Sequence, residues 1–273
     1  MRDVGLHIRL TETMQEVAQK AIRLKLPFFQ SFFMRQAVNR FVDMTDEEIA
    51  FFVKNYRLHF GNLYLHGSYW INFAGVKRNG YRAYEREINL AKRLEFTHMV
   101  LHLGSANGGQ TKEDGINACA RMLNRVLKKE HQIKLIIENT AHGNLAVGSD
   151  INDFRQLLEK LNHPDKVGFS LDTAHAHVYG YDMSTTLGQD QFLALVDDAV
   201  GVQHVELIHL NDAMQPCGSR QDQHAVLGQG LIGNALLRRF VQLPEMAQIP
   251  VLMELPVIDE AQEQEILDVV RSW

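Results

Sequence analysis

The segment from His98 to Glu138 decides the fold. It opens with the apolar run His98-Met-Val-Leu-His-Leu-Gly104 and closes with the shorter run Leu135-Ile-Ile-Glu138. Between the two runs, apolar residues recur at helical spacing: Ile116, Ala120, Leu123 and Leu127. A short apolar strand, an amphipathic helix and a second apolar strand form a βαβ unit with parallel, buried strands. This segment therefore predicts an α/β fold.

The same alternation extends over the whole chain. Six more short apolar runs bring the number of candidate strands to eight: Val4–Ile8, Phe28–Phe33, Leu63–His66, Val167–Asp172, Val205–Leu210 and Pro250–Glu254. Eight strands at a mean spacing of roughly 34 residues, with helical patterns between them, predict a (β/α)8 TIM barrel. A doubly wound open sheet is the alternative, but the glycine-rich phosphate loop that usually follows its first strand is missing after Val4–Ile8.

Length, composition and charge exclude several classes of protein. The chain has 273 residues, a size that suits one barrel, and no linker divides it, so we expect a single domain over residues 1–273. Hydrophobic residues make up 45% and charged residues 22%, which excludes global disorder, and no apolar run approaches the roughly 18 residues of a membrane span. The start does not read as a signal peptide, and two cysteines cannot form a disulfide framework, so we expect a cytoplasmic protein. A net charge of -5 does not indicate a basic nucleic-acid binder.

Ligand-type residues gather at the predicted strand ends, where barrel enzymes carry their functional groups. Nine such residues end a strand or lie in the loop that follows it: His66, His102, Glu138, Asp172, His175, His209, Asp222, His224 and Glu254. Taken singly, each has an ordinary reading as a core histidine, a helix cap, a solvated loop residue or a buried salt-bridge partner. Together, seven separate segments bring them to one face of the barrel.

Four carboxylates packed together without a lysine call for cations. Imidazole and carboxylate ligands without a thiolate fit zinc, and also manganese or iron. Nine ligands exceed the needs of one ion and suit a two- or three-metal centre, a type that cleaves phosphate esters. The sequence therefore predicts a multinuclear metal site at this mouth of the barrel.

Around these residues the chain resembles endonuclease IV, the class II apurinic/apyrimidinic (AP) endonuclease with three zinc ions. The resemblance covers residues 65–256 and rests on these segments: Leu65-His-Gly-Ser-Tyr-Trp-Ile-Asn72, Leu101-His-Leu-Gly-Ser105, Ile137-Glu-Asn-Thr-Ala141, Leu171-Asp-Thr-Ala-His175, Gly180-Tyr-Asp182, His209-Leu-Asn-Asp212, Gly218-Ser-Arg-Gln-Asp-Gln-His224, Leu227-Gly-Gln-Gly230 and Met253-Glu-Leu-Pro256. The family's TIM barrel agrees with the eight predicted strands.

The resemblance implies three zinc ions per chain and a division of the ligands among them: His66 and His102 for the first ion, Glu138 bridging the first and second, Asp172, His209 and Glu254 for the second, and His175, Asp222 and His224 for the third. It also implies hydrolysis of the phosphodiester 5′ to an abasic site in double-stranded DNA, leaving a 3′-hydroxyl, by a metal-activated water. Glu138 and Glu254 would be the catalytic carboxylates that orient this water or accept its proton.

Contacts to DNA are expected from residues near the same mouth. Arg35 and Arg220 are candidates to grip the DNA backbone, as are Lys77 and Arg78, with a solvated surface charge as the alternative for each. Tyr69 and Trp70 follow His66 closely and would wedge beside a flipped-out nucleotide, with core packing as the alternative. Three bound divalent ions would change the net charge of the protein from -5 to about +1. Their positive charge at the mouth would attract a phosphate of the DNA backbone. We expect a monomer that acts on duplex DNA and not on a membrane.

Several loops depart from the family's pattern. The strand that carries His7 lacks the glycine turn that usually follows, and Gln223 occupies the place of a basic residue between two predicted ligands. Two other functions therefore remain open. One is a sugar isomerase or epimerase on a related barrel, with one or two divalent ions and a carboxylate pair for proton transfer. The other is a barrel that binds damaged DNA or a partner without cutting. The isomerase would not need the third metal site, and the binding protein would show a broken ligand set.

Overall fold

A closed barrel of eight parallel strands forms the centre of the computed structural model, which describes residues 2–35, 40–76, 79–129 and 132–273. The strands of these described residues are, in chain order, β1 (Val4–His7), β2 (Phe29–Ser31), β3 (Met34–Arg35), β4 (Arg40–Phe41), β5 (Leu63–His66), β6 (His98–Leu101), β7 (Lys134–Glu138), β8 (Val167–Asp172), β9 (Val205–His209), β10 (Asp212–Ala213), β11 (His224–Ala225) and β12 (Val251–Met253). The barrel order is β1-β12-β9-β8-β7-β6-β5-β2, and two small antiparallel pairs, β3-β4 and β10-β11, lie outside it. The predicted (β/α)8 TIM barrel is confirmed.

Helices surround the barrel. Those of the described residues are α1 (Met14–Arg23), α2 (Asp46–Asn55), α3 (Asn79–Arg93), α4 (Lys112–Leu127), α5 (Asn152–Leu158), α6 (Thr173–Tyr179), α7 (Thr186–Val200), α8 (Gly233–Gln242) and α9 (Glu260–Arg271). Short 3-10 turns cover Arg57–His59, Pro164–Lys166 and Val202–His204. Several helices begin with a capping box. At α2, for example, the Thr45 hydroxyl accepts from the backbone N–H of Glu48, whose carboxylate accepts from the Thr45 N–H.

The observed strands coincide with the eight predicted runs, and their ends differ by up to three residues. The largest difference is at β6, which ends at Leu101, so His102 follows the strand instead of lying within it. The chain turns away at this point because Leu103 accepts from the backbone N–H of Phe73 and Gly104 adopts a φ of +85°, a conformation that glycine tolerates. Glu254 likewise follows β12 by one residue.

Alternation along the strands separates two apolar layers. Inside the barrel, one cluster consists of Phe28, Tyr64, Val100, Ile136, Leu207 and Leu252. The neighbouring residues Met99 and Leu101 point outwards and pack in the larger core between sheet and helices. Apolar side chains thus fill the inside of the barrel, and the C-terminal mouth lies above this layer.

No helix among the described residues is long and apolar enough to cross a bilayer.

Candidate metal centre

The C-terminal mouth of the barrel brings all nine predicted ligand residues together. They come from strand ends and from the loops behind them: His66 ends β5, His102 follows β6, Glu138 ends β7, Asp172 ends β8, His175 lies in α6, His209 ends β9, Asp222 precedes β11, His224 begins β11 and Glu254 follows β12. Six of them line one cavity of about 270 Å³: His66, His102, His175, Asp222, His224 and Glu254. The predicted convergence on one face is therefore observed.

Glu138 lies at the centre of this group and is fully buried. Its Oε2 is 3.2 Å from His66 Nε2 and 3.0 Å from His102 Nε2. Its Oε1 is 2.7 Å from His209 Nδ1 and 3.4 Å from His175 Nδ1. One carboxylate thus presents its two oxygens to different sets of imidazoles, which is the arrangement that a bridging ligand requires.

Two sets of atoms match the predicted first and second metal positions. His66, His102 and Glu138 each offer a ligand atom within 4.8 Å of the others. The same holds for the second set: Glu138, Asp172, His209 and Glu254. Both sets share Glu138, as the predicted bridge demands.

The predicted third position is more open. Asp222 Oδ1 lies 3.3 Å from His175 Nε2 and 3.5 Å from His224 Nε2. The set whose atoms all lie within 4.8 Å of one another joins both histidines to Asp172 instead, and Asp172 Oδ2 is 3.7 Å from His224 Nε2. Asp172 therefore lies between the second and third positions, while Asp222, at the partly exposed side, approaches the histidines from the loop.

Neighbouring backbone groups fix the orientation of the histidines. His66 Nδ1 donates to the carbonyl of Gly67 at 2.9 Å, and His175 Nδ1 donates to that of Asn139 at 2.9 Å. His224 Nδ1 donates to the carbonyl of Glu254 at 3.1 Å. Since a carbonyl only accepts, Nε2 is left as the lone-pair nitrogen that faces the site in each neutral ring. His224 Nε2 is buried without a hydrogen-bond partner among the described residues, as expected of a nitrogen that a cation would satisfy.

Gln30 is a site residue that sequence reasoning missed. It is fully buried on β2, where its Nε2 donates to Glu254 Oε1 at 2.6 Å. Its Oε1 accepts from His209 Nε2 at 3.2 Å, so His209 presents Nδ1 to the site. His7 Nδ1 lies 3.3 Å from the same Glu254 oxygen. The available signal was the polar pair Gln30-Ser31 within the phenylalanine-rich run Phe28–Phe33.

Asparagines form a second group that the sequence did not reveal. Asn211 donates from Nδ2 to Asp172 Oδ2 at 2.6 Å and accepts the Glu254 backbone N–H at 2.8 Å. Asn139 accepts the Asp172 N–H at 2.7 Å. The two amides hold the carboxylates of β8 and the loop after β12 in fixed positions.

Electrostatics favour cations in this site. Within the described ranges, the ion-pair partners of Glu138 and Asp172 are all histidines. Burial opposes the charge of Glu138, but His209 and His102 hold the pKa of its carboxyl well below the usual range. Burial also opposes a charge on His209, yet Glu138 and Glu254 raise its pKa to about 9. The Glu138 carboxylate therefore remains ionised and favours a positive charge on its imidazole partners, so the donor set fits divalent metal ions.

The two predicted aromatic DNA contacts lie at the rim of the mouth. Tyr69 is 69% exposed and its ring centroid is 5.6 Å from that of Phe32, which in turn contacts the His66 ring at 4.8 Å. Trp70 is 37% exposed and packs against Phe41 at 4.6 Å. The alternative of core packing is therefore wrong for Tyr69, and Trp70 is only partly covered.

The predicted basic contacts have partners within the protein. Arg35, at the end of β3, donates to the carbonyl of Glu12 at 2.9 Å. Arg220 is exposed, bonds Asn144 and lies 5.7 Å from the ring centroid of Tyr179. Arg9 was not predicted, but it lines the cavity and donates to the carbonyl of Leu255 at 2.8 Å. Lys77 and Arg78 lie outside the described residues.

Comparison with known proteins places the chain in a family. The model of the xylose isomerase-like TIM barrel family matches residues 19–273. "Probable endonuclease 4" of Halorhodospira halophila is 31% identical over 97% of this chain and 92% of its own length. "Probable endonuclease 4" of Thermoplasma volcanium is 30% identical over 98% of this chain and 94% of its own. The crystal structure of endonuclease IV from Thermus thermophilus superposes with a TM-score of 0.83 at 26% identity, covering 100% of this chain and 98% of that one. An Escherichia coli 3-keto-D-glucoside 4-epimerase, at 13% identity and a TM-score of 0.69, shares the fold. The chain therefore belongs to the endonuclease IV family of xylose isomerase-like TIM barrels.

Proposed function

We propose that this enzyme of the endonuclease IV type acts in base excision repair, where it hydrolyses the phosphodiester 5′ to an abasic site in duplex DNA and leaves a 3′-hydroxyl. One observation carries the proposal: the complete set of nine ligand-type residues converges on one barrel mouth, with Glu138 between two groups of imidazoles. The third group, around His175 and His224, favours phosphodiester cleavage over sugar isomerisation, since one or two ions suffice for an isomerase.

We assign the metals to three positions in the mouth, with zinc as the first choice because the donors are imidazoles and carboxylates. His66 and His102 would hold the first ion, and Glu138 would share it with the second. Manganese or iron also suits these ligand types at some positions. When bound, such ions polarise a phosphate and lower the pKa of a coordinated water to near 7.

The chain's own residues orient the reactants. Gln30, at 2.6 Å, and the nearby His7 fix the Glu254 carboxylate at the mouth. From this position Glu254 is the group that orients the attacking water and accepts its proton. The more deeply buried Glu138 is the second catalytic carboxylate. Burial opposes the charge of Glu254, but His209 and the His7 hydrogen bond lower its pKa, so the carboxylate stays ionised and can orient a water molecule as a hydrogen-bond acceptor.

The shape of the mouth suits a nucleotide without a base. The cavity volume of about 270 Å³ is slightly below the roughly 300–1,000 Å³ of pockets that accommodate drug-sized ligands. A sugar-phosphate unit is smaller than such ligands and suits a cavity of this size. Exposed Tyr69 at the rim is placed to stack in the duplex at the position that the flipped-out residue leaves. We expect the enzyme to act on duplex DNA as a monomer.

Cleavage of a duplex oligonucleotide with one abasic-site analogue tests the proposal, with metal content measured on the same sample. We expect incision 5′ to the lesion, a 3′-hydroxyl product and at least three metals per chain. The same duplex with an intact base is the control and stays uncut. If the fully metallated protein leaves the abasic duplex intact, the substrate assignment is wrong, and aldose and ketose sugars are the next substrates to assay.

A further inference from the structure

A second cluster of ligand-type side chains lies outside the nine-residue centre. It consists of His177 in α6, Asp182 just after α6, and Cys217 in the loop that connects β10 and β11. One ligand atom of each residue lies within 4.8 Å of the other two. The cluster thus joins two parts of the chain that are about 40 residues apart.

The His177 ring supplies a second, independent observation. Its side chain is 2% exposed, and Nδ1 has no hydrogen-bond partner among the described residues. Asp182 Oδ1 is 3.7 Å from this nitrogen, which is too far for a hydrogen bond. A buried polar atom without a partner is unfavourable and calls for an explanation such as an ion.

We propose that His177, Asp182 and Cys217 bind one further transition-metal dication, zinc in the first place, at a site separate from the catalytic mouth. An imidazole nitrogen, a carboxylate oxygen and a thiolate are the three ligand types that zinc prefers, and water completes a tetrahedral shell. On binding, the Cys217 thiol loses its proton to solvent, so one proton is released as the sulfur–metal bond forms.

The alternative of a nucleophilic cysteine conflicts with the chemistry of the cluster. Partial burial, and after it the charge of Asp182, raises the pKa of the Cys217 thiol. Nucleophilic cysteines need the opposite shift. A cation is the group that would hold this sulfur as a thiolate beside a carboxylate.

The position of the cluster indicates what the ion would do. The backbone N–H of Gly218 donates to the carbonyl of His177 at 3.2 Å, and that of Arg220 donates to the carbonyl of Val178 at 2.7 Å. The same loop continues to Asp222 of the third metal position. Because most of this loop is exposed, a metal bond from Cys217 to α6 would add a side-chain link to these two backbone bonds and hold the loop in place.

Cobalt(II) distinguishes this site from the catalytic mouth. None of the nine residues of the mouth is a cysteine, so a sulfur-to-cobalt charge-transfer band in the near ultraviolet would report a thiolate ligand elsewhere. We expect the metal-stripped full chain to develop this band as cobalt is added, with an intensity that corresponds to one thiolate-bound cobalt ion per chain. Cys217→Ser and His177→Phe are expected to lose it, and the zinc content of either variant falls by one ion per chain.

Cys119→Ala is the matched control and keeps the band, because Cys119 is buried in α4 against the carbonyl of Leu103. Circular dichroism establishes that each variant is folded. A wild-type protein that fills its other sites with cobalt and shows no thiolate band overturns the inference, as does a band that survives in Cys217→Ser. If the wild-type protein does not cleave the abasic duplex, the proposed function is wrong, but the thiolate band is still expected. The two failures are therefore distinguishable.

Discussion

Glu254 is the catalytic candidate that can be changed with little disturbance to the barrel, because it follows β12 and its side chain is 17% exposed. Glu254→Gln removes the negative charge and preserves the shape. We expect cleavage of the abasic duplex to fall by at least about 100-fold, the size of effect seen when one electrostatic group of an active site is removed. Steady-state kinetics measure the loss, and circular dichroism shows that the barrel is retained.

Glu206→Gln is the control for this substitution. Glu206 lies on β9 near the opposite end of the barrel, where it pairs with Lys134 at 3.0 Å. Its loss should leave the cleavage rate within about twofold, since a partly exposed ion pair contributes little. Full activity in Glu254→Gln would refute its role as a proton acceptor.

His98 gives a prediction about pH. Burial, with the nearby charge of Lys134, lowers its pKa to about 4, and its ring stacks on Tyr64 at 4.7 Å. The folded protein therefore holds His98 neutral while the unfolded chain, near pKa 6.5, takes up a proton. The stability that depends on neutral His98 is complete above pH 6.5 and is lost as the pH falls towards 4.

His98→Phe keeps a ring against Tyr64 and cannot be protonated. We expect the free energy of unfolding to fall between pH 7 and pH 5 by about 1–2 kcal/mol more in the wild type than in this variant. Denaturant titrations at both pH values measure the difference. An equal loss in both proteins would show that His98 does not contribute.

At the scale of single elements, the loop between β5 and α3 carries the aromatic residues of the rim. Tyr69→Ala removes a side chain that is 69% exposed and lies near the mouth. We expect KM for the abasic duplex to rise about 5- to 150-fold, the effect of losing one stacking contact of about 1–3 kcal/mol, with metal content unchanged. Leu58→Ala is the control, since Leu58 is 93% exposed in the 3-10 turn Arg57–His59. A similar rise in both variants would contradict a specific stacking role.

The secondary-structure element that carries a residue also determines whether its place in the site could be predicted from the sequence. The positions of the proposed ligands that end strands, such as His66, Glu138 and His209, were predictable because parallel strands of a closed barrel bring their C-terminal ends to one face. Gln30 was not, since a polar pair, Gln30-Ser31, in a phenylalanine-rich run does not by itself show what the glutamine contacts. The pairing of His177 with Cys217 depends on how a long loop folds back over α6, which no periodicity of the sequence encodes.

At the scale of the whole molecule, the proposed metal centre would connect most of the barrel. Its proposed ligands come from the ends of β5, β6, β7, β8, β9 and β12, from α6, and from β11 and the loop before it. Bound ions would therefore cross-link strands around the circumference, in addition to neutralising buried carboxylates. Three divalent ions would also shift the charge of the chain from -5 to near +1, which makes the loaded protein less repulsive to DNA.

Removal of the metals should therefore destabilise the entire barrel. Ligands present at about 100 times their Kd stabilise a fold by about 2.7 kcal/mol, and each kcal/mol shifts Tm by about 2–4 °C in a protein of this size, so we expect chelation to lower Tm by about 5–10 °C. Differential scanning calorimetry before and after chelation measures the shift. Zinc should restore the original Tm, whereas magnesium should not, because magnesium disfavours imidazole-rich sites. If elemental analysis shows that the ions are gone and Tm is unchanged, the nine residues at the mouth form a self-sufficient network of histidines and carboxylates, and the metal assignment is wrong.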